Sequence, residues 1–262
     1  MSILDKILFI HPTKCAGTSI SKRLLRLKGF SEKKSNFYSG YSFNIFFQKH
    51  IKFFYYIIHA KRAAGIVTCL FHCICFYFKI RNQVSQYKYG LTPNKGSIQH
   101  FTYKEWNAIN KIKKNTICIS IVSHPQHRLA SSFYFLGYDK HYNFLEFLQK
   151  IKDGSLLSSI KVSGLRAIIH QHLRPMYDYI DTNGENNIDF VFKRESLGQC
   201  WQKFCQKYKL NNSPLQHINK TKKNTDWKKL YFSYPQASQL VYELYKKDFR
   251  TFGYTVINYF NI

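Results

Sequence analysis

The chain opens on a short unbroken apolar run, Ile7-Leu8-Phe9-Ile10. Such a run is the pattern of a strand buried on both faces. A turn follows from Pro12 to Gly17, and Leu24, Leu25 and Leu27 predict a helix that ends near Gly29. Residues 31–98 are aromatic and basic and show no clear strand, so they read as a largely helical insert that closes on a polar loop from Asn82 to Ser97. Order returns at residue 100. Thr102 and Glu105 have the spacing of a capping box, and Trp106, Ile109 and Ile112 fit the helix that would follow. Ile117 to Val122 is a second buried-strand pattern, broken by Pro125, and Arg128 to Leu136 reads as a helix.

The strand–turn–helix unit therefore occurs twice, near 7–28 and near 117–136. Ile188 to Phe192 predicts a third strand. Ser196 and Gln199 again have capping-box spacing, ahead of Leu197, Trp201, Phe204, Cys205 and Tyr208 at helical intervals. A last helix is predicted from about Pro235 to Asp248. This alternation argues for an α/β fold, a central parallel sheet flanked by helices. The expected organisation is one domain over 1–262, with the 31–98 insert inside it.

Composition narrows the class. The chain is 45% hydrophobic and 18% aromatic, enough to bury a core, which excludes wholesale disorder. Forty Lys and Arg against 14 Asp and Glu give a net charge of +26. That balance points to an anionic partner without choosing one. The basic residues are spread along the chain and no nucleic-acid-binding motif spacing appears, so nucleic acid is not the expected partner. Seven cysteines, an odd number in a chain of this size, argue against a secreted disulfide framework. The tightest group, Cys69, Cys73 and Cys75 with His72, lacks a second ligand pair at zinc-ribbon spacing, so no metal is expected. Met1 to Ile10 runs straight into a core strand and leaves no room for a signal peptide. The apolar run Ala63 to Phe78 falls short of the about 20 residues of a spanning helix. It reads as a buried helix or, given its basic flanks, as a segment in the membrane interface. The expected location is cytoplasmic, with peripheral contact to an anionic membrane surface.

The most informative segment is Phe9 to Ser19, Phe-Ile-His-Pro-Thr-Lys-Cys-Ala-Gly-Thr-Ser. A buried strand enters a turn that carries a lysine, small residues and two hydroxyls, and a helix begins. Backbone N–H groups and the helix dipole favour an anion at such a place. Ala16 and Gly17 allow close approach, Lys14 adds a positive charge, and Thr18 and Ser19 offer hydroxyl donors. The lysine precedes the glycine, so this is not the Gly-Lys-Ser/Thr loop of nucleoside-triphosphate hydrolases.

The segment resembles the 5'-phosphosulfate loop of carbohydrate sulfotransferases that use 3'-phosphoadenosine 5'-phosphosulfate. That loop has the form Phe-Ile-His-Ile-Pro-Lys-Thr-Gly-Gly-Thr-Ser. Phe9, Ile10, His11, Lys14, Gly17, Thr18 and Ser19 match; Pro12, Thr13, Cys15 and Ala16 depart. The family's 3'-phosphate motif, Arg-Asx-Pro-x-x-Arg-x-x-Ser, is similar to residues 123–131. Pro125, Arg128 and Ser131 match it, and Ser123 stands where the first arginine belongs. Gln99 to Thr102 resembles the family's His-containing segment, and His172 to Met176 its His-x-x-Pro-Gln segment, with Met176 for the glutamine. Asp189 to Glu195, His217 to Thr221 and Tyr245 to Tyr254 resemble its later signatures in order.

The resemblance implies a sulfotransferase fold like that of P-loop nucleotide-binding proteins, and 3'-phosphoadenosine 5'-phosphosulfate as cosubstrate. It implies a nucleotide site of Lys14, Cys15, Ala16, Gly17, Thr18, Ser19, Ser123, Arg128 and Ser131. Sulfuryl transfer builds charge on the leaving phosphate, which Lys14 and the loop N–H groups suit. The acceptor hydroxyl must lose a proton, and His100, just ahead of the predicted N-cap Thr102, is the candidate base. The expected acceptor is a glycan or a glycolipid. The competing reading is a catalytically decayed member that binds an anionic glycan, lipid or nucleotide, and Ser123 is the feature that favours it.

Overall fold

The computed structural model describes residues 2–31, 91–92, 96–161, 163–181, 187–215 and 227–258. In chain order these form α1 (Ile3–Lys6), β1 (Ile7–Ile10), α2 (Gly17–Leu27), β2 (Leu91–Thr92) and β3 (Gly96–Ser97). Then come α3 (Tyr103–Ala108), β4 (Ile117–Val122), α4 (Pro125–Phe135), α5 (Phe144–Lys152), α6 (Ser155–Ser158) and α7 (Ser163–Leu173). The rest is α8 (Met176–Ile180), β5 (Phe190–Lys193), α9 (Leu197–Tyr208), α10 (Trp227–Ser233), α11 (Gln236–Leu244) and α12 (Lys246–Phe252). Three short 3-10 turns, Ile98–His100, Tyr138–Lys140 and Arg194–Ser196, complete the set among the described residues. They divide into two compact units. One holds the described residues up to 31, those of 101–124 and those of 175–215; the other holds the rest. The predicted insert, with its cysteines and its apolar run, lies outside the described residues except at its edges, as does His217.

The first unit is built on a parallel sheet of order β1-β4-β5. Ile7 to Ile10 pair with Ile117 to Ser120, and Ile119 to Val122 pair with Phe190 to Lys193. All four residues of β1 are buried, and so are five of the six in β4. Such strands need apolar side chains on both faces, which is why they read as near-continuous apolar runs. The one hydroxyl inside β4, Ser120 Oγ, donates to the Ile10 carbonyl at 2.9 Å, so its burial leaves no polar group stranded. Asp189 extends the ladder beyond β5. Its carboxylate accepts the Cys118 N–H at 2.8 Å and its own N–H donates to the Cys118 carbonyl. Burial, and then the Asp189 charge, pushes the Cys118 thiol up to about 12, so this cysteine is an inert packing residue. Phe192, Trp201 and Phe204 are fully buried around β5 and α9, with ring centroids 5.1 to 6.3 Å apart. Burying each such ring contributes roughly 1.5–3 kcal/mol.

Two predicted helices differ in the details. The Thr102 capping box forms, with the Thr102 Oγ1 accepting the Glu105 N–H at 3.1 Å and the carboxylate accepting the Thr102 N–H at 2.8 Å. Yet α3 stops at Ala108, because Asn110 turns left-handed with φ 54°, and Ile109 is left exposed. Ser196 does not cap α9. It makes no side-chain bond to the helix start, and its Oγ lies 3.4 Å from Cys200 Sγ instead.

The second unit is helical apart from the β2–β3 pair. α5 and α11 pack on each other, and α4 is joined by α10 and α11. Its aromatic centre is Phe133, Phe144 and Phe147, with ring centroids 5.0 to 6.3 Å apart. The last predicted helix is two: Tyr245 leaves helical geometry with φ −123° and separates α11 from α12.

Gln126 is fully buried at the start of α4 and ties down the chain end. Its amide nitrogen donates to Ser238 Oγ and to the Ile257 carbonyl, both at 3.0 Å, and its oxygen accepts the Ile257 N–H at 2.8 Å. Gln126→Ala removes all three bonds and leaves a cavity. It should cost about 2–3 kcal/mol, read as a lower urea midpoint at unchanged slope. An unchanged midpoint would show that the clamp does not hold the C-terminal segment.

Candidate active site

Open parallel sheets bind ligands beyond the carboxyl ends of their strands. β1 ends there at Ile10, and the chain turns back into α2 at Gly17. Between them Lys14 and Ala16 both adopt left-handed backbone, φ 62° and 65°, while Cys15 keeps a negative φ. Neither left-handed residue is glycine, so each costs about 1–2 kcal/mol. Alternating left-handed and right-handed residues are the backbone pattern of anion-binding nests. Ala16 is also the N-cap of α2 and provides no side-chain cap for this 11-residue helix. The helix start, with its partial positive charge, belongs to the same loop.

Gly17 is required for the loop to close. A Cβ there would run into the imidazole of His11, which is buried and stacked on Phe9 at 5.3 Å. Ala16 has no such requirement beyond its backbone angle. Ala16→Gly should therefore stabilise the protein by about 1 kcal/mol, seen as a melting temperature a few degrees higher. A lower melting temperature would show that the Ala16 methyl packs usefully and that the loop is not strained.

Lys14 is half-buried, and its amine is the part removed from water. Desolvation, then the charge of Arg194, lowers it to about 8 against a weaker opposing pull from Cys15. Thr18 and Ser19 are buried in the first turn of α2. Cys15 is fully buried and faces inward. Its Sγ lies 3.4 Å from the Thr13 carbonyl, 3.4 Å from Ser123 Oγ and 3.4 Å from Met176 Sδ. The Ser123 N–H points at the same Met176 sulfur, also at 3.4 Å. Cys15, Ser123 and Met176 are three positions where the chain departs from the sulfotransferase segments, and they meet at one point. Where the segments carry threonine, arginine and glutamine, this chain has a compact, uncharged set. The Ser123 side chain thus has an internal partner, whereas the sequence pattern put it among nucleotide ligands.

Beside this cluster, Glu195 Oε1 accepts the His124 N–H at 2.7 Å and fixes the turn after β4 to the end of β5. The structure gives its carboxylate this backbone bond. Arg194 was read only as part of a strand end. Its one signal in the sequence was its place next to that glutamate.

The remaining candidates lie in the second unit. His100 is buried at the end of a 3-10 turn. The Gln99 amide nitrogen lies 2.9 Å from its Nε2. In this orientation the amide donates, so Nε2 accepts and the ring proton resides on Nδ1. From α7, Gln171 donates to the His100 carbonyl at 3.4 Å, and the His172 ring meets the His100 ring edge-on at 6.2 Å. His172 is held in turn: its Nδ1 donates to the Ile168 carbonyl at 2.9 Å, and Phe135 stacks on it at 5.0 Å. Arg128, fully buried, and Ser131, half-buried, stand one turn apart on α4. The same helix reaches α7 through Ser132 Oγ, which donates to the His172 carbonyl at 3.1 Å.

Among the described residues no group of three or more His, Cys, Asp or Glu side chains is placed to hold a metal ion. No helix among them is long and apolar enough to cross a membrane. No curated protein and no solved structure matches the chain. The sulfotransferase family model matches residues 2–255, which takes in every segment described above. The loop after β1, the parallel sheet and this match agree: the chain belongs to the sulfotransferase family.

Proposed function

We propose that this sulfotransferase transfers a sulfuryl group from 3'-phosphoadenosine 5'-phosphosulfate to a hydroxyl of a carbohydrate acceptor. The observation that carries the reading is the Lys14–Ser19 loop, with two strained left-handed residues leading into an uncapped helix start. Its donor set fits a phosphosulfate: one lysine, a row of backbone N–H groups and two hydroxyls.

When bound, the nucleotide supplies the sulfuryl group and a phosphate leaving group. Lys14 and the N–H groups of residues 15–18, with the Thr18 and Ser19 hydroxyls, hold that phosphate and stabilise the charge that grows on it as the S–O bond breaks. His100 takes the proton of the acceptor hydroxyl while the new O–S bond forms in line. Arg128 and Ser131 are the candidate ligands for the 3'-phosphate. The net charge of +26 suits a sulfated or otherwise anionic glycan, or a lipid-linked glycan at an anionic membrane surface. Ser123 keeps the binding-only alternative in play.

The test is transfer of labelled sulfate from the donor to a panel of glycans and glycolipids. Label in an acceptor supports the enzyme. Micromolar binding of 3'-phosphoadenosine 5'-phosphate without transfer to any acceptor, and without slow donor hydrolysis, favours the decayed binder.

A further inference from the structure

We propose that the amino-terminal edge of the parallel sheet, opposite the Lys14–Ser19 loop, is a docking surface for an anionic lipid bilayer. This surface is separate from the donor site and stands or falls without it.

β1, β4 and β5 run parallel, so their starts share one edge. Each start carries lysine. Lys6 precedes Ile7, which pairs with Ile117 at the start of β4. The turn into β4 holds Lys111, Lys113 and Lys114. It is closed on the strand by two bonds, the Lys113 N–H donating to Thr116 Oγ1 and the Thr116 N–H to the Lys113 carbonyl, both at 2.8 Å. α9 returns to the same edge, where Lys207 Nζ donates to the Asp189 carbonyl at 3.0 Å just ahead of β5. Asp189 is itself bonded to Cys118, so the two lysine groups are neighbours. Lys209 ends that helix in left-handed backbone, φ 51°. With adjacent strands about 4.8 Å apart, the three starts span only about 10 Å.

Lys111, Lys113, Lys114, Lys207 and Lys209 are exposed, and none forms an ion pair with a described residue. Two carboxylates share the edge, Asp5 and Asp189, and each already accepts a backbone N–H, from Ser2 and Cys118. The balance stays positive, and such a group of like charges draws an anionic surface. Ile109 selects the kind of surface. It is 41% exposed, two residues before Lys111, and Ile112 is half-buried within the same turn. An exposed isoleucine gains nothing from a nucleic-acid backbone. It can enter the boundary of a bilayer while flanking lysines reach the head groups. Docking by this edge turns the carboxyl edge, with the Lys14–Ser19 loop, away from the lipid.

The test is co-sedimentation with phosphatidylcholine vesicles, with and without about 30% phosphatidylserine, beside retention on a random-sequence RNA oligonucleotide at the same ionic strength. One variant combines Lys111→Gln, Lys113→Gln and Lys114→Gln. A second is Ile109→Ser. The control combines Lys140→Gln, Lys229→Gln and Lys246→Gln, all exposed in the second unit. Thermal melts check that each variant folds. Wild type should bind only the anionic vesicles. The edge triple should weaken that binding about 10- to 100-fold and the control triple less than about threefold. Ile109→Ser should weaken it about threefold or more and leave RNA retention unchanged. Equal loss from edge and control triples means that overall charge alone binds lipid, and it overturns the assignment. So does a wild type indifferent to phosphatidylserine, or an edge triple that loses RNA and keeps vesicles. If the edge triple loses both, Ile109→Ser decides: weaker vesicle binding upholds the bilayer, and unchanged vesicle binding overturns it.

Discussion

Replacing Lys14 with methionine should abolish nucleotide binding and make the unliganded protein more stable at pH 7. The two effects have one cause. The fold lowers this lysine from its ordinary 10.5 to about 8, first by desolvation and then by the Arg194 charge. A folded value below the unfolded one means that the protein is penalised for carrying the charge. The penalty is full below pH 8. Between pH 8 and 10.5 the unfolded chain binds more protons than the native one, so this group makes stability rise with pH. Methionine keeps the stem and drops the charge, so it should add about 1–3 kcal/mol at pH 7. The same change removes the cation at the leaving phosphate, and affinity for 3'-phosphoadenosine 5'-phosphate should fall at least 100-fold.

The wild type should also lose affinity above pH 8, approaching tenfold per pH unit, because only protonated Lys14 binds an anion. Lys14→Arg should flatten that limb. Calorimetric titrations from pH 6.5 to 10, with thermal melts of the same samples, read all of this. A Lys14→Met protein that is no more stable, yet still binds, would remove Lys14 from the site.

His100→Ala should lower kcat by about 100- to 10,000-fold while nucleotide affinity stays within about twofold. The basis is the hydrogen-bond pattern. Nε2 is the ring nitrogen that carries the lone pair, Gln99 occupies it until the acceptor hydroxyl takes its place, and Gln171 and His172 hold the residue from α7. The assay is single-turnover transfer of labelled sulfate, which separates chemistry from release. If His100→Ala transfers at the wild-type rate, the acceptor proton leaves by another route. If it loses nucleotide affinity instead, His100 belongs to binding and not to proton transfer.

The local elements of the site were legible in advance for a simple reason. A strand buried on both faces needs consecutive apolar residues, and Ile7 to Ile10 and Ile117 to Val122 are such runs. The turn at Lys14 to Gly17 was legible because small and polar residues between an apolar run and a helical pattern mark a tight strand-to-helix turn. Helix ends were harder to read. α3 stops short and the last helix breaks at Tyr245, because the exposed Asn110 turns left-handed and the buried Tyr245 leaves helical geometry, and apolar periodicity registers neither.

The sequence by itself determined the α/β class, the parallel strands, the turn after the first of them and the family, since each is written in short-range spacing. Only the tertiary structure decided that Cys15 meets Ser123, 108 positions away, and Met176, 161 positions away. It alone tied Gln126 to Ile257, 131 positions on, and set Arg194 beside Ser123. Contacts of that range depend on strand register and on the space left between side chains. Neither can be read from residues taken in order, because both come into being only when distant segments pack.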